Sequence, residues 1–180
     1  MQVFRGIPAR AIHSTVLTIG NFDGVHRGHR ALLARLTGLA KQAGLPSAVM
    51  TFEPNPREFF APQSAPARLA SLREKLQLLA ECGVDQAHVC VFNKRFAALT
   101  AEAFVERIVS GLGVRHLMIG DDFRFGQGRS GDFALLQQAG KARGFAVEAM
   151  PTLVHEGERV SSSAVREALD AGDLEHAERL

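Results

Sequence analysis

Thr15-Val16-Leu17-Thr18-Ile19-Gly20-Asn21-Phe22-Asp23-Gly24-Val25-His26-Arg27-Gly28-His29 carries the change from strand to helix around which this chain is organised. The first five residues are apolar or β-branched without polar alternation, the pattern of a strand buried on both faces. A helical pattern follows from about Gly28 to Ala43, and then a second apolar run, SAVMTF (47–52). The alternation returns downstream. Helical patterns near Ser71 to Glu81, Ala101 to Leu112 and Asp132 to Arg143 precede the runs AHVCVF (87–92), VRHLMIG (114–120) and FAVEAM (145–150), and a last helix begins near Ser162. Strand runs separated by helix-length segments predict βαβ units, hence an α/β domain with a doubly wound parallel sheet. In such a sheet ligands meet the loops beyond the carboxyl ends of the strands, so those loops hold the candidate site.

The composition agrees with one globular domain over residues 1–180. It is 46% hydrophobic and 22% charged, which excludes a disordered tail. Lys+Arg 21 against Asp+Glu 19 leaves +2 with no long block of either sign, so no broad nucleic-acid or anionic-lipid surface is expected. Any anionic ligand must be met locally. The N-terminal MQVFRGIPAR lacks the apolar core of a signal peptide, and no apolar run approaches the ~20 residues that cross a bilayer. Cys82 and Cys90 have neither zinc nor dithiol spacing, which predicts a reducing, cytoplasmic setting without a membrane. PQSAPAR (62–68) reads as a surface excursion inside the domain.

Four segments carry the candidate chemistry. In Gly20 to His29 the glycines permit close backbone approach, and a helix start presents free N–H groups and a positive dipole end, which together make an anion site. His26 and His29, three apart, fall on one helical face and can donate hydrogen bonds to a phosphoryl group as charge develops on it. The Gly-Lys-Ser/Thr ending of a Walker A loop is missing, and no third ligand stands at zinc spacing. A glycine-containing turn with two exposed histidines would also explain the pattern. Arg159 followed by Ser161-Ser162-Ser163-Ala164-Val165-Arg166 reads as a capped helix start that doubles as a second phosphate cradle. Gly120-Asp121-Asp122-Phe123-Arg124-Phe125-Gly126 is either a turn that caps the core or a ring-binding loop, with Asp122 on a heterocycle edge. Pro54, Asn55 and Pro56 stiffen a loop that walls a pocket or merely turns. His13, His88, His116, His155 and His176 are scattered and read as surface or packing residues; Glu74 and Lys75 read as the solvated face of a helix.

GNFDGVHRGH resembles the HxGH motif of the nucleotidylyltransferase superfamily, and SSSAVR is similar to its partner motif Ile-Ser-Ser-Thr-x-x-Arg. Together with TFEPNPRE (51–58), LTAEAFVE (99–106) and GDDFRFG (120–126), they resemble the FMN adenylyltransferase module of the prokaryotic bifunctional riboflavin kinase/FAD synthetase over nearly the whole chain. The resemblance implies a Rossmann-like HxGH fold and the reaction of FMN with ATP and Mg²⁺ to give FAD and pyrophosphate, without a covalent intermediate. It implies transition-state roles for His26 and His29. Gly20, Phe22, Asp23 and Gly28, with Arg159, Ser162, Ser163 and Arg166, would meet the nucleotide phosphates. Pro54, Asn55, Pro56, Asp122, Phe123 and Phe125 would lie on the flavin side; no metal ligand is assigned. Asn55 stands where the family often has His, and Ser163 where it usually has Thr. The family continues into a riboflavin kinase domain that these 180 residues do not resemble, so kinase activity is expected to be absent from them. Two other readings stay open: an HxGH enzyme with another acceptor, and a flavin-nucleotide binding module without chemistry.

Overall fold

The computed structural model describes residues 1–180. Six strands form one wholly parallel sheet: β1 (Gln2–Arg5), β2 (Thr15–Ile19), β3 (Ser47–Glu53), β4 (Gln86–Val91), β5 (Val114–Gly120) and β6 (Ala146–Met150). The spatial order is β1-β4-β3-β2-β5-β6. From β2 the chain winds outward through β3 and β4, then returns to the other side of β2 for β5 and β6. The reversal between β2 and β5 is the crevice in which an open α/β sheet binds its ligands.

The run Thr15–Ile19 is therefore the second strand and not the first. Gln2–Arg5, which the sequence reading passed over, pairs with β4 at the sheet edge, mostly exposed. Four residues with a polar residue at each end carry too little periodicity to declare a strand by themselves.

Helices cover both faces. α1 (Arg27–Ala43) and α3 (Leu72–Glu81) lie on one, where Leu33, Leu36, Ala40 and Leu79 pack against Val16, Val49 and Met118. α5 (Ala101–Leu112) and α6 (Phe133–Arg143) lie on the other, where Phe104, Ile108 and Leu136 pack against Leu17, Ile19, Met50 and Leu117. Val16 and Leu17 thus go to opposite cores, as the two-residue period of a strand requires. All five residues of β2 are buried, and truncating a fully buried leucine such as Leu17 or Leu36 in such a core costs about 2–5 kcal/mol. Two short helices, α2 (Pro56–Phe60) and α4 (Lys94–Ala97), follow β3 and β4. After β6 come the hairpin β7 (Val154–His155) and β8 (Glu158–Arg159), then α7 (Ser162–Asp170) and α8 (Leu174–Arg179). The Leu180 carbonyl accepts the Arg27 N–H at 2.8 Å, docking this last segment on the start of α1. No helix is long and apolar enough to cross a membrane.

Candidate active site

The loop from β2 to α1 is built under strain. Phe22 and Val25, neither of them glycine, hold positive φ of 50° and 43°. A β-branched residue there is a genuine outlier, worth about 1–3 kcal/mol, and persists only where its surroundings over-determine it. Both side chains are 1% exposed and locked into the core between β2 and α1, which supplies that restraint. Gly24, at φ +80°, takes the third left-handed position. The Phe22 ring lies 4.9 Å from the His29 ring, so it supports the histidine from below. Phe22 was expected to meet the nucleotide; its buried side chain does not face open space.

His26 is the N-cap of α1, and its Nδ1 accepts the backbone N–H of His29 at 3.3 Å. With Nδ1 used as acceptor, the neutral ring carries its proton on Nε2 and offers a donor outward. The two imidazoles stack, centroids 3.7 Å apart and planes 23° apart. A Cβ on Gly28 would stand 3.2 Å from His26 Cε1 and Nδ1, which explains the glycine between them. Burial, only partly offset by the charge of Asp23, pushes the pKa of His26 down to about 4. Burial, helped by His26 and Lys75, pushes that of His29 down to about 3. Both rings are therefore neutral donors at neutral pH. His29 Nδ1 is buried without a partner.

Asp23 ties three segments together. One carboxylate oxygen accepts the N–H groups of Leu69 (3.0 Å) and Ala70 (3.1 Å); the other pairs with Arg166. Its backbone carbonyl accepts Ser162 Oγ at 3.0 Å, and Arg166 also donates to the carbonyls of Ala67 and Ser162. The carboxylate was expected in the phosphate site; its oxygens are instead taken up by the protein, which brings the start of α7 against the β2–α1 loop. Ser161 caps α7 through the Ala164 N–H, while Ser163 is exposed beside it.

A cavity of about 720 Å³ opens at the same edge of the sheet. Phe52, Phe60, Phe92, Phe96, Phe104, Phe123 and Phe125 line it, seven of the chain's twelve phenylalanines, with Arg57, Arg124 and Arg129 among the remaining lining residues. Only Pro56, Phe123 and Phe125 of the expected flavin-side residues are among its walls. Asn55 caps α2 with its side chain accepting the Arg57 N–H at 3.0 Å. Asp122 is exposed and pairs with Arg159 at 2.9 Å, so two residues assigned to different ligands hold each other. Gly20 packs against the Phe22 ring, which a Cβ there would meet at 3.0 Å.

Lys75 corrects the sequence reading outright. It is 5% exposed, on the buried side of α3 with Leu79, whereas Glu74 is exposed and completes the capping box with Ser71. The available signal was spacing: Lys75 stands four residues before Leu79, on the apolar stripe. The aromatic walls from Phe52, Phe92, Phe96 and Phe104 carried no such signal, because each sits in an ordinary strand end or helix pattern.

A family model described as FAD synthetase matches residues 9–164. A bifunctional riboflavin kinase/FMN adenylyltransferase of Pseudomonas fluorescens is 55% identical over all of this chain and 58% of its own length. One of Escherichia coli (strain K12) is 56% identical over all of this chain and 59% of its own. The chain thus spans about three fifths of these relatives. Among solved structures, one described as a macrolide-efflux protein from Streptococcus pneumoniae superimposes with a TM-score of 0.85 at 24% identity, over 100% of this chain and 61% of that one, and shares the fold.

Proposed function

Because the chain belongs to the FAD synthetase family, we propose that it transfers AMP from ATP to FMN, giving FAD and pyrophosphate. An oxygen of the FMN phosphate attacks the ATP α-phosphorus in line; the bond to the β-phosphate bridging oxygen breaks, and pyrophosphate leaves with that electron pair. ATP enters as its Mg²⁺ complex, the ion arriving with the substrate. A cytoplasmic setting belongs to the same proposal, in keeping with the two free cysteines.

The observation that carries this reading is the stacked, neutral pair His26 and His29 at the reversal between β2 and β5, beside the start of α7. Phosphoryl transfer asks the protein chiefly for positioning and for donors aimed at developing charge. His26 Nε2–H is such a donor, and the helix that begins at Ser162 supplies backbone N–H groups and a positive dipole end for the pyrophosphate. The phenylalanine-lined cavity is suited to a flat apolar ring system such as the isoalloxazine. Nothing in this chemistry needs a nucleophilic side chain. Cys90, whose thiol is pushed up to about 12 by burial, is unsuited to be one.

The test is direct. The purified chain, FMN, ATP and Mg²⁺ are mixed, and flavin fluorescence, which falls when FMN becomes FAD, is followed together with pyrophosphate; the chain has no Trp or Tyr. The expected result is a fluorescence decrease matched by pyrophosphate release and lost in His29→Ala. Flavin binding without pyrophosphate would overturn the assignment in favour of a binding module.

A further inference from the structure

The histidine pair brings donors to the reacting phosphates but no positive charge, since both rings are neutral at neutral pH. Most cations around it are already engaged. Arg166 holds Asp23, Arg159 holds Asp122, and Arg68 holds both Glu53 and Glu58. Lys75 differs. Its side chain is buried, yet its ammonium has no hydrogen-bond partner and no carboxylate oxygen within the 4.0 Å of an ion pair. The buried stem thus ends in an ammonium that is not itself sealed from solvent, a cation whose donors stay open to an anionic ligand.

The groups facing Lys75 come from several elements. Glu53 ends β3, Asp23 lies on the β2–α1 loop, and Glu58 and Arg68 lie on α2 and the strap that follows it. The three carboxylates favour the charged ammonium from a distance, while their oxygens serve Arg68, Arg166 and backbone N–H groups. All three ammonium donors therefore remain available. On one side Lys75 is near enough to His29 for its charge to act on that ring. On the other, Glu53 follows Phe52 and Glu58 follows Arg57, both walls of the aromatic cavity. Lys75 does not line the cavity itself, but its charged neighbours adjoin the cavity wall on one side and the histidine pair on the other, within reach of a phosphate carried by a ring in the cavity. Arg57, Arg124 and Arg129 line the cavity, whose walls do not include His26 or His29.

We propose that Lys75 binds the phosphate of FMN in its reacting position, its ammonium donating to the phosphate oxygens beside His26 and His29. This rests on the FMN adenylyltransferase reading and adds to it a residue outside both phosphate motifs. Lys75 then separates flavins by their phosphate, because riboflavin offers it nothing.

FMN, riboflavin and ATP are each titrated alone by calorimetry into the wild-type chain and into Lys75→Met, Lys75→Gln and Lys75→Arg. A charge-assisted contact of this kind predicts that Lys75→Met and Lys75→Gln weaken FMN about 10- to 100-fold. Riboflavin and ATP should each change less than about threefold, and Lys75→Arg should recover part of the preference for FMN. Lys75→Met should melt no lower than wild type, since it removes a desolvated charge. An unchanged FMN-to-riboflavin ratio, equal weakening of both flavins with a lower melting temperature, or a loss confined to ATP would each overturn the proposal. The two readings fail separately: a wild-type chain that makes no FAD sinks the enzyme assignment, whereas FAD synthesis with an unchanged ratio in Lys75→Met sinks only the lysine.

Discussion

His26 caps helix α1 by accepting the backbone N–H of His29, and the same two rings stack at 3.7 Å, so one contact both starts the helix and orients the donor pair. The two duties can be separated. His26→Asn keeps a side-chain acceptor at the cap, whereas His26→Ala loses it, and the cap is worth about 0.5–2 kcal/mol. Both variants should lose about 10²–10³ in turnover, with only His26→Ala losing stability as well. Chemical denaturation and steady-state rates measure the two effects; an active His26→Asn would show that the ring is only a cap.

Acidification tests the burial of the pair. Histidine titrates near 6.5 when free, and folding lowers His26 to about 4 and His29 to about 3, in both cases first of all through desolvation. As pH falls the unfolded chain therefore takes up protons before the folded one. The stability that these rings contribute is complete above about pH 6.5 and is lost as pH falls through about 4 and then about 3. NMR titration should show the His26 and His29 ring signals unchanged between pH 7 and 5, and inflection of either near 6.5 would refute the assignment. Lys75→Met should move the His29 value upward, because Lys75 is one of the groups that depress it.

Gly28→Ala should damage catalysis more than folding. The added methyl lies 3.2 Å from the His26 ring, so the ring has to move by a few tenths of an ångström. Displacements of about 1 Å at a reacting centre cost about 10²-fold, and this smaller one should cost about tenfold in kcat with KM for ATP nearly unchanged. A fall in melting temperature with kcat intact would contradict this.

Asp23 should matter chiefly for assembly. Asp23→Ala leaves Arg166 without its carboxylate and two backbone N–H groups without an acceptor, in a pair whose side chains are 10% and 16% exposed. Breaking such a pair costs about 3–5 kcal/mol. Asp23→Asn keeps an oxygen for the N–H groups of Leu69 and Ala70 and should cost less. Urea unfolding decides between them, and a loss under about 1 kcal/mol in Asp23→Ala would show that the α7 start is held by something else.

Much of the molecule was legible along the chain because its signals are local. The buried runs of β2, β3 and β5 and the amphipathic α1, α3 and α5 each span enough residues for their periods to show. The paired histidines and the serine-rich helix start were visible as spacings of three or four residues. The edge strand β1 was not, being short and half polar, and neither were α2, α4 and the β7–β8 hairpin.

What the sequence determined by itself was therefore the alternation of strands and helices, and with it the sheet edge on which a site must lie. Tertiary structure alone decided which charges that site has free. Asp23 and Arg166, 143 positions apart, meet only because α7 returns to the β2–α1 loop. Lys75 turns inward only because α3 packs beside α1, and the phenylalanines of four separate segments enclose one cavity only at the sheet edge. Hydrophobic period is a property of neighbours along the chain, whereas desolvation and ion pairing depend on neighbours in space.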